Sequence, residues 1–164
     1  MSRKCYFDNT SLIIFQGVVL VTLEPDSYIL TVDEKYWNRL RQQKYSSPIH
    51  SFVRRNKVGP KKVRQLLFYV TKKKRVLGSA DFVERLTESY ENLWKEYSSE
   101  TCFESFEEYK IFVDKREIVT FLRFCNFKEI ANPKSKEEVA NIVGSMRGFG
   151  AGKYLDQDTA IQLV

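Results

Sequence analysis

The chain has few of the residues from which metal centres and disulfide frameworks are built. It contains a single histidine, His50, and three cysteines, Cys5, Cys102 and Cys125, which lie far apart and show no C-x-x-C spacing. This pattern argues against a zinc ribbon and against a disulfide scaffold, and free thiols are typical of a reducing compartment. We therefore expect no metal, no cofactor and a cytoplasmic location.

Long hydrophobic runs are also missing. No stretch approaches the ~18 uncharged apolar residues of a membrane-spanning helix. The longest apolar run, residues 12–23, is interrupted by Gln16, Gly17 and Thr22 and predicts a strand or a hairpin. Residues 24–26, Glu-Pro-Asp, follow it where a secretory leader would carry small residues for cleavage. The expected protein is soluble and unprocessed, with no membrane partner.

Acidic residues are absent from one long segment. Between Lys35 and Arg75 the chain has fourteen lysines and arginines and no aspartate or glutamate, whereas residues 81–117 hold eleven acids against five bases. Protein surfaces usually intersperse both signs, because like charges repel. The net charge of +6 adds to this asymmetry, which predicts a positive surface for a polyanion. The alternative is that the acidic segment neutralises the basic one in space.

What is present suffices for one well-packed domain. At 164 residues, of which 43% are hydrophobic, the chain has the length and the apolar content of a single core. The predicted strands are 12–23, 28–32, 49–54, 66–71, 76–86 and 117–127, and the predicted helices are 33–45, 88–98 and two that begin at the capping boxes of Ser105 and Ser135. Strands interleaved with short helices indicate an α+β domain on a small, strongly twisted or closed sheet.

A series of short segments follows in a characteristic order. They are the strand 29–32, the helix 34–40, the strand end 52–55, the strands 66–70, 76–80 and 118–124, and the proline-containing segment 132–134. This order resembles the ASCH domain of the PUA-like superfamily over residues 28–143. The resemblance implies an α+β fold built as a PUA-like small mixed β-barrel with flanking short helices. Residues 1–27 then form an N-terminal strand or hairpin extension packed on the domain, and residues 144–164 a Gly-rich C-terminal extension.

The resemblance also implies a function. In this superfamily the cleft between the barrel and the first helix commonly binds RNA or a modified nucleobase, and some ASCH-like members are ribonucleases or amidohydrolases of an acylated cytidine. Those enzymes use a lysine after the first helix and a neighbouring hydroxyl, and Lys44 with Ser46 or Ser47 has a comparable place here. The acidic residue that precedes the signature arginine in the family is replaced by Phe52 or Val53, so that carboxylate is missing.

The basic segment supplies many candidates for phosphate contacts. They are Arg39, Arg41, Lys44, Arg54, Arg55, Lys57, Lys61, Lys62, Arg64, Lys72, Lys73, Lys74 and Arg75. Because phosphate contacts position a nucleic acid without reading it, unpaired bases need aromatic partners as well. Tyr45 is the preferred stacking residue, whereas Tyr36 and Tyr69 are predicted to lie in the core. The preferred function is therefore binding of RNA or other single-stranded nucleic acid.

Two other functions stay open. One is a hydrolase of RNA or of a modified nucleobase or nucleoside, with Lys44, Ser46 and His50 as the candidate catalytic residues. Histidine titrates near neutral pH and is the usual general acid–base group, although His50 is equally consistent with a half-buried or surface side chain without chemistry. The other is weak self-association into a homo-oligomer, or docking to an acidic partner, driven by the charge asymmetry.

Overall fold

The strands and helices follow the order that the sequence predicts. A computed structural model describes residues 10–15, 18–23, 25–43, 46–144, 150 and 152–164, the first two ranges by their backbone alone. The strands are β1 Thr10–Phe15, β2 Val18–Leu23, β3 Ser27–Val32, β4 Ile49–Arg54, β5 Gln65–Val70, β6 Arg75–Ser89, β7 Ile118–Glu129 and β8 Lys153–Leu155. The helices are α1 Glu34–Gln43, α2 Tyr90–Tyr97, α3 Phe106–Val113, α4 Lys136–Val143 and α5 Gln157–Leu163, with a 3-10 turn at Ser98–Glu100. Among these residues, no helix is long and apolar enough to cross a bilayer.

Six strands form one mixed sheet in the order β4-β7-β6-β5-β3-β8. Strands β3 and β5 run parallel, and all other neighbours are antiparallel. Register shifts between Ser79 and Asp81 and between Phe82 and Glu84 bend the long strands β6 and β7. In the part of the chain that the structure describes, no hydrogen-bonded ladder joins β8 to β4. The α+β fold is confirmed, but the sheet is open, and its predicted closure into a barrel is not confirmed.

A side-chain contact spans the opening of the sheet. Arg54, the last residue of edge strand β4, interacts with the side chain of Tyr28 near the start of β3. Strand β8, which lies beyond β3, is only three residues long and pairs with Ser27–Ile29. It therefore offers few backbone groups for a further ladder, which is the physical reason that the sheet curves without closing.

The N-terminal hairpin is a separate two-stranded sheet. Strands β1 and β2 pair antiparallel, with Thr10 opposite Leu23 and Phe15 opposite Val18. Neither strand pairs with the six-stranded sheet. The hairpin precedes the domain as the apolar run predicts, and its packing on the domain stays a prediction.

Helix α1 covers one face of the sheet. Asp33 caps it, because its carboxylate accepts a hydrogen bond from the backbone N–H of Tyr36 at 2.8 Å. Trp37 and Leu40, three residues apart, are buried and pack into the same core as Phe68 of β5. Trp37 and Leu40 therefore determine which side of α1 faces the sheet.

The other four helices cover the opposite face in two groups. Helices α4 and α5 pack over β3 and β5, where Val139 and Leu163 meet Ile29 and Leu67. Helices α2 and α3 pack over β4 and β7, where the fully buried Tyr109 lies among Val53 and other apolar side chains. Strand β4 therefore lies at an edge with α1 on one side and α3 on the other.

Residues of the C-terminal segment contribute to the sheet and to its core. Strand β8 pairs with β3, and Leu155, Ala160 and Leu163 lie in one core with Ile29. The division of the chain into a domain and two extensions stays a prediction. A three-residue strand and a seven-residue helix carry too short a periodic signal to be read from sequence.

Candidate nucleic-acid interface

Many of the predicted phosphate-binding cations are already paired with carboxylates. The pairs are Lys35 with Glu108 (2.8 Å), Arg39 with Glu104 (2.8 Å) and Glu108 (2.7 Å), Arg41 with Glu129 (2.7 Å), Arg64 with Asp26 (2.7 Å), and Lys72 and Lys73 with Glu34 (3.9 and 3.0 Å). Glu104 and Glu108 belong to the acidic segment 81–117. For Arg39, the acidic segment therefore neutralises the basic one in space, as the alternative interpretation of the sequence expected. These cations are poor candidates for phosphate contacts, because a phosphate would have to replace a carboxylate.

A second group of cations lies in the loop between β4 and β5. Its exposed members are Arg55, Lys57, Lys61 and Lys62. Within the described chain, the first three form no ion pair. Gly59 anchors the loop, since its carbonyl accepts a hydrogen bond from Arg85 at 3.1 Å. Its φ is +146°, and a Cβ there would lie 2.8 Å from the Leu122 side chain, so the turn favours glycine.

The turn between β5 and β6 holds the remaining predicted cations. Lys74 and Arg75 lie there, at the opposite end of β5 from the loop just described. Strand β5 has six residues, and at ~3.3 Å per residue it keeps the two groups about 20 Å apart. These two groups of cations therefore lie at opposite ends of β5.

A cleft follows strand β4 between helices α1 and α3. It consists of two cavities, one of about 280 Å³ and one of about 250 Å³, which share Phe52, Val53 and Phe112. Among the residues that line the first are Tyr36, Arg39, Phe103 and Glu108, and among those that line the second are Thr31, Arg54, Arg55 and Asn56. We name the first the aromatic cavity and the second the arginine cavity. Two of the predicted phosphate-binding residues therefore meet at one end of this cleft.

Aromatic rings form the walls of the cleft. The ring of Tyr36 meets that of Phe52 edge-on, with centroids 4.7 Å apart. On the opposite wall, the rings of Phe103 and Phe112 lie 5.1 Å apart. The guanidinium carbon of Arg55 lies 4.7 Å from the centroid of Phe112, which is the geometry of a cation–π contact.

Arg54 is half-buried at the arginine cavity. Its guanidinium lies 5.8 Å from the ring of Phe52 on the same face of β4. Burial lowers the pKa of Arg54, while the Tyr28 hydroxyl counteracts this shift. Arginine stays charged in proteins despite such a shift, so Arg54 is a cation in a partly desolvated setting, where its attraction for an anion is stronger than in water.

The polar side of the aromatic cavity is an ion-pair cluster that joins α1 to α3. Glu108 accepts hydrogen bonds from the backbone N–H of Glu104 at 3.0 Å, from Lys35 and from Arg39. These contacts lower the pKa of Glu108 to about 2, with the Glu104 N–H as the largest cause. Arg39 also donates to the carbonyl of Cys102 at 3.0 Å. The cluster therefore sets the spacing of the two helices.

The candidate catalytic residues do not form such a cluster. Lys44, like the stacking candidate Tyr45, lies outside the described residues. Ser46 is exposed and donates its hydroxyl to the carbonyl of Gln43 at 2.6 Å. His50 is only 3% exposed, rather than half-buried or at the surface, and its ring lies 5.7 Å from that of Phe124. No group of histidine, cysteine or carboxylate side chains with metal-site geometry occurs among the described residues.

Sequence reasoning missed several of the residues that line the cleft. Tyr69 is buried as predicted, and Tyr36 packs against the core that contains Trp37, but Tyr36 also lines the cleft. Phe103 and Phe112 were not predicted to belong to a site at all. The sequence shows Phe112 as one residue of an apolar helix face, and nothing local indicates that this face meets β4, some sixty residues earlier in the chain.

Comparisons with known proteins support the fold. No protein-family model matches the chain, and no curated protein matches it. The crystal structure of an ASCH protein from Zymomonas mobilis is similar, with a TM-score of 0.70 and 16% identity over 85% of this chain and 94% of that one. The structure of its serine-to-alanine mutant has a TM-score of 0.69 and 17% identity over 84% of this chain and 94% of that one. The structure of its tyrosine-to-phenylalanine mutant has a TM-score of 0.70 and 14% identity over 84% of this chain and 95% of that one. At such low identity the likeness shows the fold alone.

Proposed function

Because the chain has the fold of an ASCH domain, we propose that it binds single-stranded nucleic acid, with RNA as the preferred form. The observation that carries this proposal is the meeting of Arg54 and Arg55 with two aromatic rings at one end of the cleft. The exposed cationic loop that follows Arg54 extends that end into solvent. Cations beside aromatic walls are the combination with which proteins hold an unpaired strand.

The proposed phosphate contacts are fewer than the sequence suggested. Arg54 and Arg55 line the arginine cavity, and Lys57 and Lys61 are exposed in the loop that follows them. By contrast, other predicted cations are paired with carboxylates, namely Arg39, Arg41, Arg64, Lys72 and Lys73. Four phosphate contacts would give a slope of log affinity against log salt near −3 on a single strand, at about −0.7 for each contact. We expect binding of moderate strength that weakens steeply as salt rises.

The hydrolase alternative has less support. His50 is buried against Phe124, so a substrate in the cleft would not reach its ring without rearrangement of the core. The aromatic and cationic groups of the cleft bind and position a ligand, whereas bond cleavage also needs an acid and a base of suitable pKa. A cytoplasmic location and weak self-association stay expectations from the sequence.

Fluorescence anisotropy of a labelled single-stranded RNA, titrated at several salt concentrations, tests the proposal. The test variant is the triple substitution Arg55→Gln, Lys57→Gln and Lys61→Gln. We expect the affinity to fall and the salt slope to become shallower by about 2, since three contacts of about 0.7 each are lost.

The matched control removes the same charge elsewhere. Lys72→Gln, Lys73→Gln and Lys74→Gln lie in the turn at the far end of β5, where Lys72 and Lys73 already pair with Glu34. This variant is expected to bind almost as the unmodified protein does. Equal losses in both triple variants, or RNA binding that does not respond to salt, would contradict the proposal. A DNA strand of the same sequence measures the preference for RNA.

A further inference from the structure

We propose that the cleft takes one nucleotide in a fixed orientation, with an unpaired base in the aromatic cavity and the adjoining phosphate in the arginine cavity. This proposal rests on the proposed nucleic-acid binding, and it adds the unit that is recognised and the direction in which it lies. The occupant is a nucleotide of a single strand, because a base in a duplex is not free to enter a cavity between two helices.

The charges of the two cavities differ in the way that a nucleotide requires. The aromatic cavity is lined by two cations, Lys35 and Arg39, and two carboxylates, Asp33 and Glu108, so its formal charge is zero. Its cations already pair with Glu108. The arginine cavity is lined by two cations and by no acidic residue among those described. A neutral base suits the first cavity, and a phosphate suits the second.

The size and continuity of the cavities fit one base and its phosphate. Each cavity has a volume of about 250 to 280 Å³, and the two share three lining residues. This is below the ~300–1,000 Å³ of typical small-molecule sites, so each holds a small group rather than a long ligand. Because the cavities adjoin, a single sugar suffices to connect their occupants.

The aromatic walls provide surfaces for a base. Phe112 belongs to both cavities, and the guanidinium of Arg55 covers its ring at the arginine end. A base that stacks on Phe112 from the aromatic side therefore has its phosphate directed toward Arg55. Ile111, which is 79% exposed, extends the same wall to the surface and leaves a route of entry.

One polar group in the aromatic cavity lacks a good partner. The Tyr36 hydroxyl is buried beside the Cys102 thiol, and within the described residues no hydrogen bond of ordinary geometry reaches it. Burial raises the pKa of Tyr36 well above its usual range, so the hydroxyl stays protonated and is a donor.

This cavity is distinct from the place that the family resemblance suggests. It lies at the first turn of α1, beside Tyr36, whereas Ser46 follows the last turn of that helix. Helix α1 has ten residues, and at ~1.5 Å per residue its ends are about 15 Å apart. A ligand in the aromatic cavity is therefore recognised by α3 as well as by α1.

Two probes separate base recognition from phosphate binding. One is a short single-stranded RNA oligonucleotide, and the other is an oligonucleotide of equal length and charge in which every base is removed. Stacking contributes roughly 1–3 kcal/mol for each base. We therefore expect the unmodified protein to bind the intact strand at least about tenfold more tightly than the abasic strand.

Phe112→Leu is the test variant, because leucine keeps the apolar character and removes the ring. We expect it to reduce the preference for the intact strand about tenfold. Phe106→Leu is the control, since Phe106 lies on the same helix but packs against Tyr90 and Trp94, outside the cleft. Ile111→Ala, at an exposed position, gives a second wall variant should Phe112→Leu not fold.

The outcomes distinguish the two proposals. Equal affinity for both probes, with normal salt dependence, would overturn the base cavity and leave phosphate binding intact. A preference for bases that persists unchanged in Phe112→Leu and Ile111→Ala would show that bases bind elsewhere and would likewise overturn it. Failure of both probes to bind would remove the proposed function and this inference together.

Discussion

At the scale of single residues, Arg123 on β7 connects the sheet to the chain segment that follows α2. Its guanidinium donates to Glu100 at 2.6 and 2.9 Å and also to Glu84, and it lies 4.5 Å from the ring of Tyr97. The side chains of Arg123 and Glu100 are only 13% and 12% exposed. Hydrogen bonding with Glu100 raises the pKa of Arg123, so its guanidinium stays charged in the folded protein.

Arg123→Met is expected to lower the free energy of unfolding by about 3 kcal/mol, because it leaves the Glu100 carboxylate buried without its cation. Urea denaturation followed by circular dichroism measures the loss. Arg116→Met, at an exposed position before β7, is the control and should change stability little. A midpoint of Arg123→Met equal to that of the control would show that the buried pair contributes no net stability.

At the scale of elements, the Glu108 cluster fixes α3 against α1 and depends on pH. The pKa of Glu108 is about 2 in the folded protein, below its ordinary value of 4.5. A lowered folded-state pKa means that the unfolded chain binds the proton more readily. The contribution of Glu108 is therefore complete above about pH 4.5 and is lost as pH falls toward 2.

Glu108→Gln is expected to be less stable than the unmodified protein at pH 7, and the difference should shrink as pH falls from about 4.5 to 2. Urea denaturation at several pH values in this window measures the difference. Glu107→Gln, an exposed neighbour on α3, serves as the control. A stability difference that stays constant with pH would rule out Glu108 as the titrating group.

Helices could be predicted from the sequence where a local motif marks where they begin. The predicted capping box is present at the start of α4: the Ser135 hydroxyl accepts a hydrogen bond from the N–H of Glu138, and the Glu138 carboxylate accepts one from the N–H of Ser135. Ser105 likewise accepts from the N–H of Glu108 at 3.1 Å, but the Glu108 carboxylate binds Arg39, 69 residues away. A capping motif specifies a helix start, whereas a contact between distant helices depends on how the sheet brings them together. For the same reason the aromatic cavity could not be predicted.

At the scale of the whole molecule, the C-terminal segment supports the cleft. Gly152 precedes β8 with a φ of +90°, and a Cβ there would lie 2.5 Å from the Tyr28 hydroxyl. Tyr28 in turn contacts Arg54 at the arginine cavity. The C-terminal segment therefore contributes to the position of a proposed phosphate-binding residue. The sequence did not indicate which cations pair with carboxylates, because charge order along a chain does not determine charge neighbours in space.

Gly152→Ala is expected to destabilise the protein by roughly 1–3 kcal/mol through strain at a positive φ, and to weaken RNA binding by displacing Tyr28 and Arg54. Thermal unfolding and anisotropy measure the two effects. Gly144→Ala is the control, since Gly144 also has a positive φ, of +78°, but a Cβ at that position meets nothing within 4 Å. A loss of stability without a change in RNA affinity would show that the position of Tyr28 does not affect RNA binding in the cleft.

The contact between Arg54 and Tyr28 lies at the opening of the sheet between β4 and β3. Elsewhere in the described sheet, neighbouring strands are joined by main-chain hydrogen bonds, and separating them would break a whole ladder. Across this opening, β4 and β3 interact through side chains. Separating β4 from β3 would break no main-chain ladder of the described sheet, so this opening can widen while the backbone pairing of the sheet is kept.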